Sequence, residues 1–273
     1  MKRTSIILTL LLTVLPLSAQ TDDPQDPEFG GRLSVRLDKK ATKGLHLYLE
    51  EEVRMDNNFG AFERLHTSAG ATYKVIPSLK LGAGYALINP YSTKNAAFKN
   101  ARHRLMLDAA YTYRHGDWYF SLKERMQATF RTGDYNPYQN PQPALTLKSR
   151  LQAKYKGFGR VVPYGYVELR HILNAPAIMA NYDGSDYYDD NGSETGDAGW
   201  FISGWDKAYC NRVRTSLGAD IRLDRHNTLT LYLLADYVNN YEVDANASGT
   251  KLKSYTHETG FLGYIGATYR LSF

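Results

Sequence analysis

From about residue 30 onward, apolar and polar side chains alternate one by one over segments of about ten residues, each closed by a turn. In Thr228–Tyr237, Leu229, Leu231, Leu233, Ala235 and Tyr237 fall on one face and Thr230, Tyr232, Leu234 and Asp236 on the other. Successive side chains of an extended chain point to opposite faces, so this period predicts a strand with one apolar side. Leu145–Tyr155 and Arg212–Leu223 split the same way, and further strands are expected at 30–37, 45–55, 62–75, 79–90, 101–115, 118–131, 162–173 and 256–273.

The connections alternate in length. Short turns are expected at Ile76-Pro77-Ser78, His115-Gly116-Asp117, Gly157-Phe158-Gly159 and Asp224-Arg225-His226-Asn227, and longer loops at 91–100, 132–143, 174–207 and 244–255. Short turns on one side and long loops on the other are the pattern of outer-membrane barrels, with the short side in the periplasm. The fold class expected is therefore all-β, an antiparallel transmembrane β-barrel of 10–12 strands. The segments number eleven, but bacterial single-chain barrels normally close with an even number. Ten follows if 30–37 does not span, and twelve, the preferred reading, if a strand is concealed near 174–207.

Both ends of the chain agree with export. Lys2 and Arg3 precede the apolar run Ile6–Leu17, and the small residues Ser18 and Ala19 follow, the order of a signal peptide cleaved near residue 20. A short periplasmic segment at 21–28 and a barrel at 29–273 complete the expected organisation. At the other end, Phe261, Ile265, Ala267, Tyr269, Leu271 and Phe273 share one face, with Gly263 the gap in the series. A final amphipathic strand ending in Phe resembles the signal read by the outer-membrane assembly machinery. In water, such an apolar terminal edge would invite aggregation unless paired.

Composition changes little in this picture. The 22 tyrosines suit aromatic girdles, and a mean hydropathy of −0.46 is compatible with strands whose two faces average out. Beyond the N-terminus no stretch reaches the ~20 apolar residues a membrane helix needs. The single cysteine, Cys210, excludes an internal disulfide. Losing Lys2 and Arg3 takes the formal charge from +5 to +3, so no nucleic-acid partner is expected.

Glu50-Glu51-Glu52-Val53-Arg54, Arg64 with Gly70 and Tyr73, and Leu79-Lys80-Leu81-Gly82-Ala83-Gly84-Tyr85 together resemble the domain-of-unknown-function 2490 family over about Phe29 to Phe273. The resemblance implies a Gram-negative outer-membrane barrel and carries no activity with it. The expected location is the cell outer membrane, with membrane lipid and lipopolysaccharide as surroundings.

If the apolar face meets lipid, the polar face lines a lumen. It carries Arg54, Arg64, Arg102, Arg104, Lys123, Arg125, Lys148, Arg150, Lys154, Arg170, Arg212 and Arg214 against Glu50, Glu52, Asp108, Glu168, Asp220 and Glu258, twelve bases to six acids. Pairs at i, i+2 such as Arg102/Arg104 and Arg212/Arg214 project to one side, and such basic walls favour anions. Two readings follow: a small pore for an anionic solute, or a narrow barrel filled by its own ion pairs that acts as a scaffold or adhesin through its loops. Glu51 and Glu124 fall on the nominal lipid face, where a β-bulge or a place near the headgroups would accommodate them.

The 174–207 loop holds Asp183, Asp186, Asp189, Asp190, Glu194, Asp197 and Asp206, with several aromatics. EF-hand spacing fails, since aligning Gly192 to the loop glycine puts Tyr187 and Ala198 at the first and last ligand positions. A solvated acidic loop is expected, with calcium, carbohydrate or a partner protein as alternatives. The seven histidines are scattered, and no G-x-S-x-G, His-Glu-x-x-His or phospholipase-like His-x-Ser-Asn-Gly run occurs. No enzyme and no cofactor are expected, and a membrane-embedded lipid hydrolase ranks last among the readings.

Overall fold

The protein, seen in a computed structural model, is described over residues 24–133, 135–179, 201–247 and 252–273. Its strands are β1 (Pro24–Thr42), β2 (Leu45–Asp56), β3 (Ala61–Ile76), β4 (Leu79–Ser92), the two-residue β5 (Ala97–Phe98), β6 (Arg102–His115), β7 (Trp118–Arg131), β8 (Ala144–Tyr155), β9 (Val161–Met179), β10 (Phe201–Arg222), β11 (Asn227–Ala245) and β12 (Leu252–Ser272). Each wall strand pairs with two others in the order β3-β2-β1-β12-β11-β10-β9-β8-β7-β6-β4, and the β3–β4 pair closes the ring. β5 lies outside it, hydrogen-bonded to β4 at Tyr91 and Ser92.

The described wall therefore has eleven strands, the number the alternation predicts, and not the twelve preferred on grounds of parity. An even number is required only if every pair is antiparallel. Here β1 and β12 run parallel, with Leu33 opposite Ala267 and Asp38 opposite Ser272, and that one pair lets an odd wall close. The pair also places the start of β1 at the end of the wall that carries the long loops, opposite Phe273. Pro24–Glu28 is thus part of a wall strand and not a separate stub. β9 and β10 likewise run into the expected 174–207 loop, leaving 180–200 between them. The acids at 183–197 lie outside the described residues.

The side chains are arranged inside out. Leu107, Leu151 and Leu233 point outward and stand 64%, 62% and 62% exposed, and every wall strand contributes large apolar residues to the same outer surface. The buried interior contains few apolar residues, Ile88, Met106 and Leu234 among them, and more polar ones, including Arg32, His66, Gln127, Glu168, Arg214 and Asp236. Aromatic clusters mark both ends. Trp118, Tyr155 and Phe158 pack at the short-turn end with centroids 4.9–5.0 Å apart, and Phe62, Tyr91 and Phe98 at the long-loop end at 5.3–5.9 Å. Of the two outward acids, Glu124 accepts a 2.6 Å hydrogen bond from Ser149 on β8, whereas Oε1 of Glu51 is buried without a partner.

The short turns have specific local causes. Gly116 and Gly159 adopt positive φ, 57° and 70°, which glycine does without steric cost. At the β10–β11 turn, Asp224 accepts hydrogen bonds from the Asn227 side chain and from the His226 and Asn227 backbones, which hold its carboxyl below the usual range.

Candidate functional site

Strand register shows how the inward side chains meet. On one rung Lys123, Arg150, Glu168, Arg214 and Asp236 stand opposite one another across β7 to β11. This rung is charge-compensated. Asp236 is 0% exposed and accepts from Nε and Nη2 of Arg214 at 2.7 Å and from Nη1 of Arg212 at 3.0 Å. Glu168, 4% exposed, accepts from Nε of Arg150 at 2.8 Å and has Lys148 and Arg214 at 3.8 and 3.9 Å. Asp108 takes Nε of Arg125 at 2.6 Å and Lys123 at 3.0 Å. Linked through these ion pairs, the groups form a packed layer inside the wall. Removing water from a charge is costly, and such a layer holds because each acid meets two or more cations within ion-pair distance, at least one of them in hydrogen-bonding geometry.

Tyrosines fill further space. The ring of Tyr166 lies 4.1 Å below the Arg150 guanidinium, and those of Tyr48 and Tyr264 lie 4.3 and 4.1 Å from Arg36 and Arg32. Glycine makes room for them: a Cβ on Gly84 would sit 2.6 Å from the Tyr48 hydroxyl, and one on Gly218 2.8 Å from Tyr164.

Toward the short turns the lumen opens into a cavity of about 620 Å³, lined by Arg36, Lys80, Lys123, Arg270 and the acids Asp38 and Asp108, with Phe273 at its rim. Arg36 donates to Asp38 and Glu50, and Lys154 to Asp220 at 2.8 Å. Toward the long loops a smaller cavity, about 270 Å³, is bordered by Glu28, Asp56 and Glu63. There the 132–143 loop reaches past β8, β9 and β10. Asn136 Nδ2 donates to the Ala245 and Asn246 carbonyls at 3.0 and 3.1 Å, and Gln139 accepts from the Ala245 N–H at 2.8 Å.

Of the bases expected in the lumen, Arg54, Arg64, Arg125, Arg150, Arg212 and Arg214 meet carboxylates, Arg54 on Glu52 and Arg64 on Glu63. Arg102, Arg104 and Arg170 meet none among the described residues. Sequence reasoning omitted Arg32, Arg36, His66, Arg270 and, most consequentially, Asp236. The parity of Thr230, Tyr232 and Leu234 already put Asp236 on the inner face, which was the available signal. No three His, Cys, Asp or Glu side chains among the described residues converge as metal ligands would.

No curated protein matches the chain in sequence. The family described as "Protein of unknown function (DUF2490)" matches residues 30–177, from β1 into β9. That span is more than half of the 273 residues, and the chain belongs to the DUF2490 family.

Proposed function

We propose that the protein is an outer-membrane β-barrel that passes small anions through a narrow, basic lumen, with the short turns in the periplasm. The inside-out distribution supports the membrane setting: a belt of exposed aliphatics around the whole wall far exceeds the few hundred Å² that a monomer in water tolerates. Lipid satisfies that belt, and a closed wall leaves no backbone edge in it. The excess of lumen bases over acids carries the anion preference, since a cleft lined by one sign of charge concentrates the opposite ion.

The packed layer around Asp236 and the loop held by Asn136 favour a second reading, a closed barrel that works through its outer loops. Reversal potentials of the refolded protein under a salt gradient decide between the two. The channel predicts anion preference that weakens when Arg102, Arg104 and Arg170 become Gln. These positions are chosen because none of them pairs with a carboxylate, so neutralising them strands no acid. Protein that is folded but passes no current leaves the closed scaffold.

A further inference from the structure

Below the long-loop mouth, Arg32, Arg54 and Arg64 stand on one rung across β1, β2 and β3, each the register partner of the next. Like charges directly opposite in a sheet destabilise it. Arg64 and His66 share one face of β3, and His66 stands on a rung with Ile88 of β4 and Arg102 of β6, two positions from Arg104 on the same face. Five guanidiniums from β1, β2, β3 and β6 thus stand on adjoining rungs, and the charge of Arg170 on β9 reaches Arg104; Glu52 and Glu63 are the only carboxylates ion-paired to any of the six among the described residues.

Their hydrogen bonds are incomplete. Nε of Arg32, Arg64 and Arg170 and Nε2 of His66 are buried without a partner, while the Arg54 and Arg64 side chains remain 18% and 29% exposed toward the lumen. Buried cations need counter-charge, and a buried donor left without a partner is costly, the more so when it is charged. Planar forks approaching from several directions match an oxyanion with several acceptor oxygens better than a spherical halide.

We infer that this arginine cluster is a binding site for a free tetrahedral oxyanion of the phosphate class. The closed wall keeps lipid headgroups out of the lumen, so the ligand is a solute. The inference rests on the reading of the inner face as an anion-attracting lumen, and it adds the ligand class and the place where that ligand stops.

Calorimetric titration of the refolded full chain with inorganic phosphate, at constant ionic strength in chloride, tests it. The expected result is saturable binding that weakens about tenfold for each guanidinium removed in Arg104→Gln and Arg170→Gln. Arg160→Gln, on an exposed turn, keeps the wild-type affinity. Absence of saturable binding in folded protein overturns the site, as does equal binding in the Arg104→Gln/Arg170→Gln double variant. The two proposals fail separately. Phosphate binding without current sinks the channel and keeps the site, and anion current without phosphate binding does the reverse.

Discussion

Asp236 shows how one carboxylate can organise an interior. It accepts three hydrogen bonds from Arg212 and Arg214, which ties β11 to β10, and Arg214 carries the link on to Glu168 of β9. Changing Asp236 to Asn keeps the shape and removes the charge, leaving two buried guanidiniums facing an amide. The expected loss is roughly 3–5 kcal/mol, the cost of breaking a buried ion pair from one side. It would be read as a lower urea midpoint of the refolded protein, and a variant as stable as wild type would show that the layer is not cross-linked through Asp236. Parity along each strand made nearly all lumen residues legible in the sequence. Which arginines are neutralised and which are free was not, because that depends on cross-strand register and side-chain reach. Arg212 and Arg104 read identically in the chain, yet one clamps Asp236 and the other, among the described residues, donates to Thr129 and meets no carboxylate.

The strands themselves were recovered almost to the residue where a turn bounded them, as at His115-Gly116-Asp117 between β6 and β7. They were cut short where a loop lacked punctuation: β9 and β10 continue through residues that composition assigned to the 174–207 loop. β12 carries the most pairing, since it joins β11 along nearly its whole length and β1 along the seam. Phe273 is held against β1 through both of its backbone groups, its carbonyl accepting from Lys40 N–H at 2.9 Å and its N–H donating to the Asp38 carbonyl at 3.0 Å. Tyr269→Asp with Leu271→Asp puts two charges on the apolar face of that strand and should abolish heat-modifiable, membrane-inserted protein. Unchanged insertion would show that the terminal strand is dispensable. The parallel register has its own test. In a Cys210→Ser background, cysteines at Leu33 and Ala267 face one another and should crosslink on oxidation, whereas an antiparallel seam would separate them.

The odd wall has a consequence for the molecule in its membrane. With all pairs antiparallel and an even number of strands, both termini would leave from one side, as the expected periplasmic segment at 21–28 requires. The parallel β1–β12 pair separates them: Phe273 leaves beside the short turns, and Pro24 begins β1 beside the long loops. If the short turns are periplasmic, a chain cleaved near residue 20 must present its new N-terminus at the cell surface. An epitope placed between Asp23 and Pro24 should therefore be stained by antibody on intact cells, and externally added protease should cut within 180–200 while sparing the turns at His115–Asp117 and Asp224–Asn227. A surface epitope together with a protected C-terminus fits only an odd wall with a parallel seam. An epitope reached only after permeabilisation, with 180–200 still cleaved from outside, would mean that both termini lie in the periplasm and that β1 does not close against β12 as described.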